Sequence, residues 1–238
     1  MTSGTFYLIA TPIGNLGDIT LRALDILRGV DLIAAEDTRH ATILLQRYEI
    51  HKPLVSYYEE NEKRRSQELL EILLTGQNVA LITDAGTPLM SDPGFQIVRQ
   101  AIDNNIAIVP VPGPSSILTA LMASGLATDR FVFEGFLPRK KGRLTRLNEL
   151  AHEPRTMVFF ESPQRILKTL NDFLEKFGDR HAVCAREMTK IYEEFQRNRL
   201  SNLITHFKAH PPKGEFVLVV QGNERKSGRR NKLHPESE

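Results

Sequence analysis

The sequence predicts an α/β protein of two domains, the first built on a parallel sheet. Three observations carry this. Short apolar runs alternate with segments of helical spacing through residue 111, the pattern of strands covered on both faces by crossover helices. The Gly-Pro-rich stretch PVPGPSS (110–116) then breaks the alternation, and a second set of strands and helices follows it. A chain of 238 residues has room for one large core or two smaller ones. The expected units are residues 1–112, residues 113–222 and a polar, aperiodic basic tail, 223–238, expected to be disordered.

Taken in order, TFYLIA (5–10) reads as a strand and DITLRALDILRG (18–29) as a helix. Asp18 is its expected N-cap and Gly29 its stop. Residues 30–35 form the next apolar run, and 38–48 show helical spacing. LVSYY (54–58) reads as a strand, and NEKRRSQELLEILLTG (61–76) as an amphipathic helix ending at Gly76. Residues 78–83 and 106–111 are strands that flank a helix over 94–105. The second half opens with a helix at SSILTALMASG (115–125). Strands are expected at 130–136, 155–162, 181–187 and 215–222, and helices at 163–178 and 200–210.

Composition narrows the class. Hydrophobic content of 41% and charged content of 25% suit a folded soluble protein. The N-terminus has no basic n-region, and no apolar run approaches the about 20 residues of a membrane helix, so no membrane association is expected. The single cysteine, Cys184, excludes an internal disulfide framework and fits a reducing cytoplasm. With a net charge of +2, any nucleic acid must be held by local basic patches.

In open parallel sheets, ligands bind beyond the carboxyl ends of the strands. The loops there are ATPIGNLGD (10–18), EDTRH (36–40), TDAGTPLMSDPG (83–94) and PGPSS (112–116). Glycine lets backbone groups approach a ligand, and proline lowers the cost of ordering the free loop. Asp84 can accept from a ligand amine or hydroxyl. Ser115 and Ser116 open a helix and can either cap it or donate to a ligand. One such loop alone reads as a plain turn; four at one sheet edge read as a ligand cleft. Several familiar sites are excluded. There is no G-x-x-x-x-G-K-[ST], no G-x-G-x-x-G after the first strand and no G-x-S-x-G. The seven histidines are scattered, without H-E-x-x-H or cysteine partners, so no metal site is expected.

With these loops assembled, the sequence resembles the tetrapyrrole methylase superfamily of S-adenosylmethionine-dependent methyltransferases, and within it the ribosomal RNA small subunit methyltransferase I family. The resemblance rests on LIATPIGNLGDITLRA, AAEDTRH, LITDAGTPLMSDPG, VPGPSSILTALMASGL, FEGFLPRKKGR, FFESPQRI and GEFVLVV, spread from residue 8 to about residue 220. It implies a tetrapyrrole methylase-like fold with a mixed sheet in the second domain. It also implies S-adenosyl-L-methionine in the cleft between the domains and a homodimer. The implied reaction is methylation of the ribose 2′-hydroxyl of a cytidine in 16S rRNA, with that RNA or the small ribosomal subunit as partner. Carried over by motif, the cofactor contacts fall on Ile13, Asp84, Thr87, Ser115 and Ser116, joined from the second domain by Phe160 and Glu215.

A ribose hydroxyl is barely ionised at neutral pH, so a general base assists its methylation. The candidates are Glu36, Asp37, Glu161 and Glu187, with Glu36 and Glu187 preferred; Asp37 also reads as a helix N-cap. PRKKGRLTR (138–146) brings Arg139, Lys140, Lys141, Arg143 and Arg146 together as an expected phosphate-binding patch, and Arg39 is expected at the cleft rim. Two other readings stay open. One is a small-molecule methyltransferase of the same superfamily acting on a tetrapyrrole. The other is a non-catalytic RNA-binding module.

Overall fold

The computed structural model describes residues 2–223; the expected tail lies outside these residues except for Asn223. The first sheet uses β1 (Thr5–Ile9), β2 (Leu32–Ala35), β3 (Leu54–Ser56), β4 (Val79–Ile82) and β5 (Ala107–Val111). All its pairings are parallel, in the order β3-β2-β4-β1-β5. The central strand β4 (VALI) and its neighbour β2 (LIAA) are buried at every position, as helices on both faces require. On one face α1 (Leu21–Gly29) and α2 (Thr38–Arg47) pack Ala23, Leu27 and Leu44 against Ile33 and Ile82. On the other, α3 (Glu62–Leu74) and α4 (Phe95–Asp103) pack Leu69, Leu73 and Ile97 against Phe6 and Leu81.

The start of α1 differs from the expectation. Asp18 ends a short 3₁₀ turn, Leu16–Asp18, capped by Asn15. Thr20 is the N-cap of α1, its hydroxyl accepting the Ala23 N–H at 3.1 Å. Its extended backbone puts that hydroxyl within reach of the third helical amide, which Asp18, two residues upstream, does not reach. The helix ends at Gly29, as expected.

The second sheet uses β6 (Phe131–Phe136), β7 (Thr156–Glu161), β8 (His181–Arg186), β9 (Glu194–Arg199) and β10 (Phe216–Val220), in the order β6-β7-β10-β8-β9. β6 runs parallel to β7 and the other pairs are antiparallel, so the sheet is mixed. The edge strand β9, EFQRNR, escapes the sequence reading because it carries a single large apolar residue. One face is covered by α6 (Arg143–Leu150), α7 (Ile166–Phe177) and α8 (Leu200–Ala209) through Leu147, Leu170, Phe173 and Leu203. Cys184 is in that core, and burial pushes its thiol well above the ordinary range.

The other face positions the site. There α5 (Ser116–Met122) packs Ile117, Ala120 and Leu121 against Val158, Val183, Val217 and Val219. Ile13, from the loop after β1, joins the same cluster. That side chain pins the carboxyl edge of the first sheet to the face of the second. Among the described residues no helix is long and apolar enough to cross a membrane.

Candidate functional site

The four loops beyond the first sheet are tied to one another. Thr11 and Gly86 exchange backbone hydrogen bonds of 2.8 and 3.0 Å, and the Thr11 hydroxyl donates to the Thr83 carbonyl at 3.0 Å. The Thr87 hydroxyl donates to the Pro114 carbonyl at 3.2 Å. Asp84 accepts the Asp37 N–H on Oδ1 and pairs with His40 Nδ1 on Oδ2, both at 3.0 Å. The loops after β1, β2, β4 and β5 therefore form one rim. The loop after β4 holds an unusual backbone: Leu89 and Ser91 have φ of 70° and 73°, a conformation that costs a side-chain-bearing residue about 1 kcal/mol or more.

Between this rim and the second sheet lies a cavity of about 330 Å³. Its apolar wall includes Ile13, Phe136, Phe160, Met188 and Val217. Phe160 is fixed by Phe133 and Phe136, whose ring centres lie 5.0 and 5.6 Å away. Hydroxyls come from Ser115 and Ser116, and carboxylates from Asp92, Glu161, Glu187 and Glu215.

Of the expected cofactor contacts, Ile13, Ser115, Ser116, Phe160 and Glu215 line this cavity together. Ser115 also caps α5, accepting the Leu118 N–H. Asp84 and Thr87 do not line it; their side chains fasten the rim loops, and Ala85 between them faces the cavity.

The four expected bases meet different fates. Glu161 faces the cavity but is buried, and it accepts from the Thr169 hydroxyl, the Ser162 N–H and Arg165. Glu187 lies at φ 48° and accepts Lys190 Nζ and the Glu215 N–H, each at 3.0 Å. Burial acts to raise its carboxyl, but the Glu215 amide and Lys190 outweigh that and leave it below the ordinary value. Asp37 caps α2 and pairs with Arg39, whose guanidinium holds the carboxyl well below the usual range. Glu36 lies outside the cavity and accepts the Thr83 hydroxyl at 2.9 Å.

Asp92 is an acid the sequence reading passed over. It stands in a loop the sequence assigns to the cleft, but only the fold shows that Ser91 and Asp92 line the cavity. Its Oδ2 lies 2.6 Å from the Thr83 hydroxyl. Burial, with the nearby Glu36 and Asp84 charges, raises its carboxyl to about 6, although the Thr83 hydroxyl acts to lower it.

The expected basic patch is divided. Arg139, Lys140 and Lys141 are exposed. Arg143 is not: it is buried, with Nε 2.8 Å from Asp172 and one terminal nitrogen 2.8 Å from Thr169. Its place on the inner face of α6 takes it out of the phosphate-binding set. Arg146 is bidentate on Glu134, at 2.8 and 2.7 Å, and also meets Glu149. Arg39 is exposed beside Asp37.

The model of the tetrapyrrole (corrin/porphyrin) methylases matches residues 5–204. The ribosomal RNA small subunit methyltransferase I of Thermotoga maritima is 49% identical over 221 residues, which are 93% of this chain and 100% of that protein. The protein of the same name from Synechocystis is 51% identical over 221 residues, 92% of this chain and 79% of its own length. Among solved structures, a diphthine synthase aligns with a TM-score of 0.72 at 16% identity, covering 92% of this chain and 90% of its own. A uroporphyrin-III C-methyltransferase from Thermus thermophilus, complexed with S-adenosylhomocysteine, aligns with a TM-score of 0.66 at 18% identity, covering 91% of this chain and 97% of its own. At those identities the two structures speak for the fold alone.

Proposed function

The chain belongs to the tetrapyrrole methylases and, within them, to the ribosomal RNA small subunit methyltransferase I family, and from that premise we propose that it methylates the ribose 2′-hydroxyl of a cytidine in 16S rRNA, using S-adenosyl-L-methionine. The observation that carries this is the cavity between the two sheets, which draws its walls from both halves of the chain. Its size and lining fit the cofactor. Apolar side chains suit a purine and a thioether, hydroxyls suit a ribose, and acidic groups suit a cation. When bound, the cofactor supplies a methyl group already activated by the positive charge on its sulfur.

The chain's own residues hold and orient the reactants. Ile13, Phe160 and Val217 provide the apolar walls, and Ser115 and Ser116 the hydroxyls. Lys190 bridges Glu187 and Glu215 at 3.0 and 2.8 Å, a mixed-charge cluster suited to an α-amino acid group. Asp84 and Thr87 act through the rim by fastening the loops that shape the cavity. On the RNA side, Arg139, Lys140 and Lys141 follow closely on Phe136, which lines the cavity, and Arg39 stands exposed on α2. Exposed cations beside a cofactor cleft favour a polyanionic substrate over a small tetrapyrrole. We further propose two units, residues 1–112 and 113–222, a cytoplasmic location and a homodimer. The exposed Met122, Ile191 and Tyr192 offer apolar surface for a second copy to cover.

The test is a mass-spectrometric map of ribose methylation in small ribosomal subunits from cells lacking this protein, before and after incubation with it and S-adenosylmethionine. The proposal expects one new 2′-O-methylcytidine. Methylation of a precorrin-type substrate in its place would substitute the small-molecule reading. Cofactor binding with transfer to neither would leave an RNA-binding module.

A further inference from the structure

β6 carries a bulge close to where it meets the cavity. Phe133 pairs with Val158 and Gly135 with Phe159, so Glu134 is an extra residue in this strand. Side chains alternate along a strand, and one added residue exchanges the two faces beyond it. Without the bulge, position 136 would share a face with Val132, which packs into the core under α6, α7 and α8. The bulge instead places Phe136 opposite Phe160, on the cleft face with Phe133. Arg146 takes up the displaced Glu134, at 2.8 and 2.7 Å. Gly135 has φ 60°, and a Cβ there would lie 3.0 Å from Ser91 Oγ in the loop after β4. Glycine thus lets the rim approach the strand beside Phe136.

Three aromatic rings among the described residues line the cavity. Phe216 is buried and Phe160 half-buried, whereas Phe136 is 55% exposed. Its ring rests against Phe160, with centres 5.6 Å apart and planes tilted by 59°. A scattered surface phenylalanine needs no explanation; one turned to a cavity by a bulge does. The chain just beyond it is held in place. Arg165, at the start of α7, donates to the Leu137 carbonyl at 2.7 Å, and Arg143 on α6 to the Pro138 carbonyl at 3.2 Å. Each arginine is anchored in turn on an acid, Arg165 on Glu161 and Arg143 on Asp172. The exposed Arg139, Lys140 and Lys141 therefore start from a fixed point next to the ring.

We propose that Phe136 is the stacking platform for the base of the nucleotide to be methylated, with Arg139, Lys140 and Lys141 taking the phosphates beside it. This rests on the methyltransferase reading above. A ribose hydroxyl reaches a methyl donor inside a cavity only when its nucleotide leaves the RNA stack. The unstacked base then needs a π-face to replace the neighbour it lost, and Phe136 presents one between the cavity and solvent. A phenyl ring has no hydrogen-bonding group, so it holds a base by its face and leaves the choice of base to other groups.

The test uses the full chain, S-adenosylmethionine and undermethylated small ribosomal subunits. Phe136→Ala is expected to lower kcat/KM for the subunits roughly 5–150-fold, the effect of losing one base–aromatic stack, while cofactor affinity stays within about twofold. Phe136→Tyr should recover most of that loss and Phe136→Leu should not, because leucine restores bulk without a π-face. Equal recovery by leucine and tyrosine overturns the stack and leaves a packing contact. Should Phe136→Ala not fold, a direct readout decides. The chain has no tryptophan, so Phe136→Trp reports from this position alone. Its emission should be unchanged by S-adenosylhomocysteine and quenched by protein-free 16S rRNA at concentrations that saturate filter binding. Quenching by S-adenosylhomocysteine alone, or none with RNA bound, overturns the platform and leaves the methyltransferase reading standing. No transfer to rRNA by the wild type overturns the reading on which the platform rests.

Discussion

Thr11 and Gly86 hold each other through two backbone hydrogen bonds, of 2.8 and 3.0 Å, although they follow different strands of the first sheet. This antiparallel bridge joins the loop after β1 to the loop after β4 and sets the near wall of the cavity. Gly86 has φ 87°, and a Cβ there would lie 3.3 Å from Ile13 Cγ2, the side chain that docks onto the second sheet. Gly86→Ala is therefore expected to cost about 1–3 kcal/mol, lowering the melting temperature by several degrees. Calorimetry should also show cofactor affinity weakened by about tenfold or more. Unchanged affinity would mean that the bridge does not shape the cofactor wall.

The cations of residues 138–146 should separate into two classes. Arg143→Ala leaves Asp172 without its buried partner and should cost roughly 3–5 kcal/mol in denaturant unfolding. Lys140→Ala with Lys141→Ala should change stability by no more than about 0.5 kcal/mol per site. The same pair should flatten the salt dependence of RNA binding by about 0.7–0.9 in logarithmic slope per lost phosphate contact. Filter binding from low to moderate salt reads the slope directly.

Asp92 makes stability depend on pH in a stated direction. Its carboxyl is raised from 3.8 in the open chain to about 6 in the fold, chiefly by burial. The folded state thus binds this proton more tightly than the unfolded state. The contribution is full below about pH 4 and is lost as pH rises through about 6. A shift of that size corresponds to at most about 3 kcal/mol, and to less where solvent reaches this half-buried carboxyl. Asp92→Asn is expected to be more stable than the wild type at pH 8 and to lose that advantage at pH 4, in melting curves taken side by side. No crossover would show that Asp92 is not held out of water.

Much of this was legible in the sequence. The alternation of apolar runs and helices identifies every strand of the first sheet, and the Gly-Pro-rich loops beyond them mark the rim where Ile13, Ser115 and Ser116 meet. What was not legible has physical reasons. β9 is an edge strand with little to bury, so EFQRNR carries no alternation strong enough to read. Arg143 reads as a surface cation by composition. Its spacing to Leu147 and Leu150 places it on the inner face of α6, and there it finds Asp172 and Thr169. Asp84 and Thr87 sit in the right loop but face along the rim, because backbone direction within an irregular loop is set by contacts distant in sequence. Asp92 lies in a loop the sequence assigns to the cleft, but Ser, Pro and Gly around it signal a turn without showing which acid of the loop faces the cavity.

The most direct test is a crystal structure of the chain with S-adenosylhomocysteine. The account predicts the nucleoside between the rim and the second sheet, in contact with Ile13, Ser115, Phe160 and Val217. The same ligand seated instead in the groove beside His40 and Asp84, with that cavity empty at saturating concentration, would contradict it.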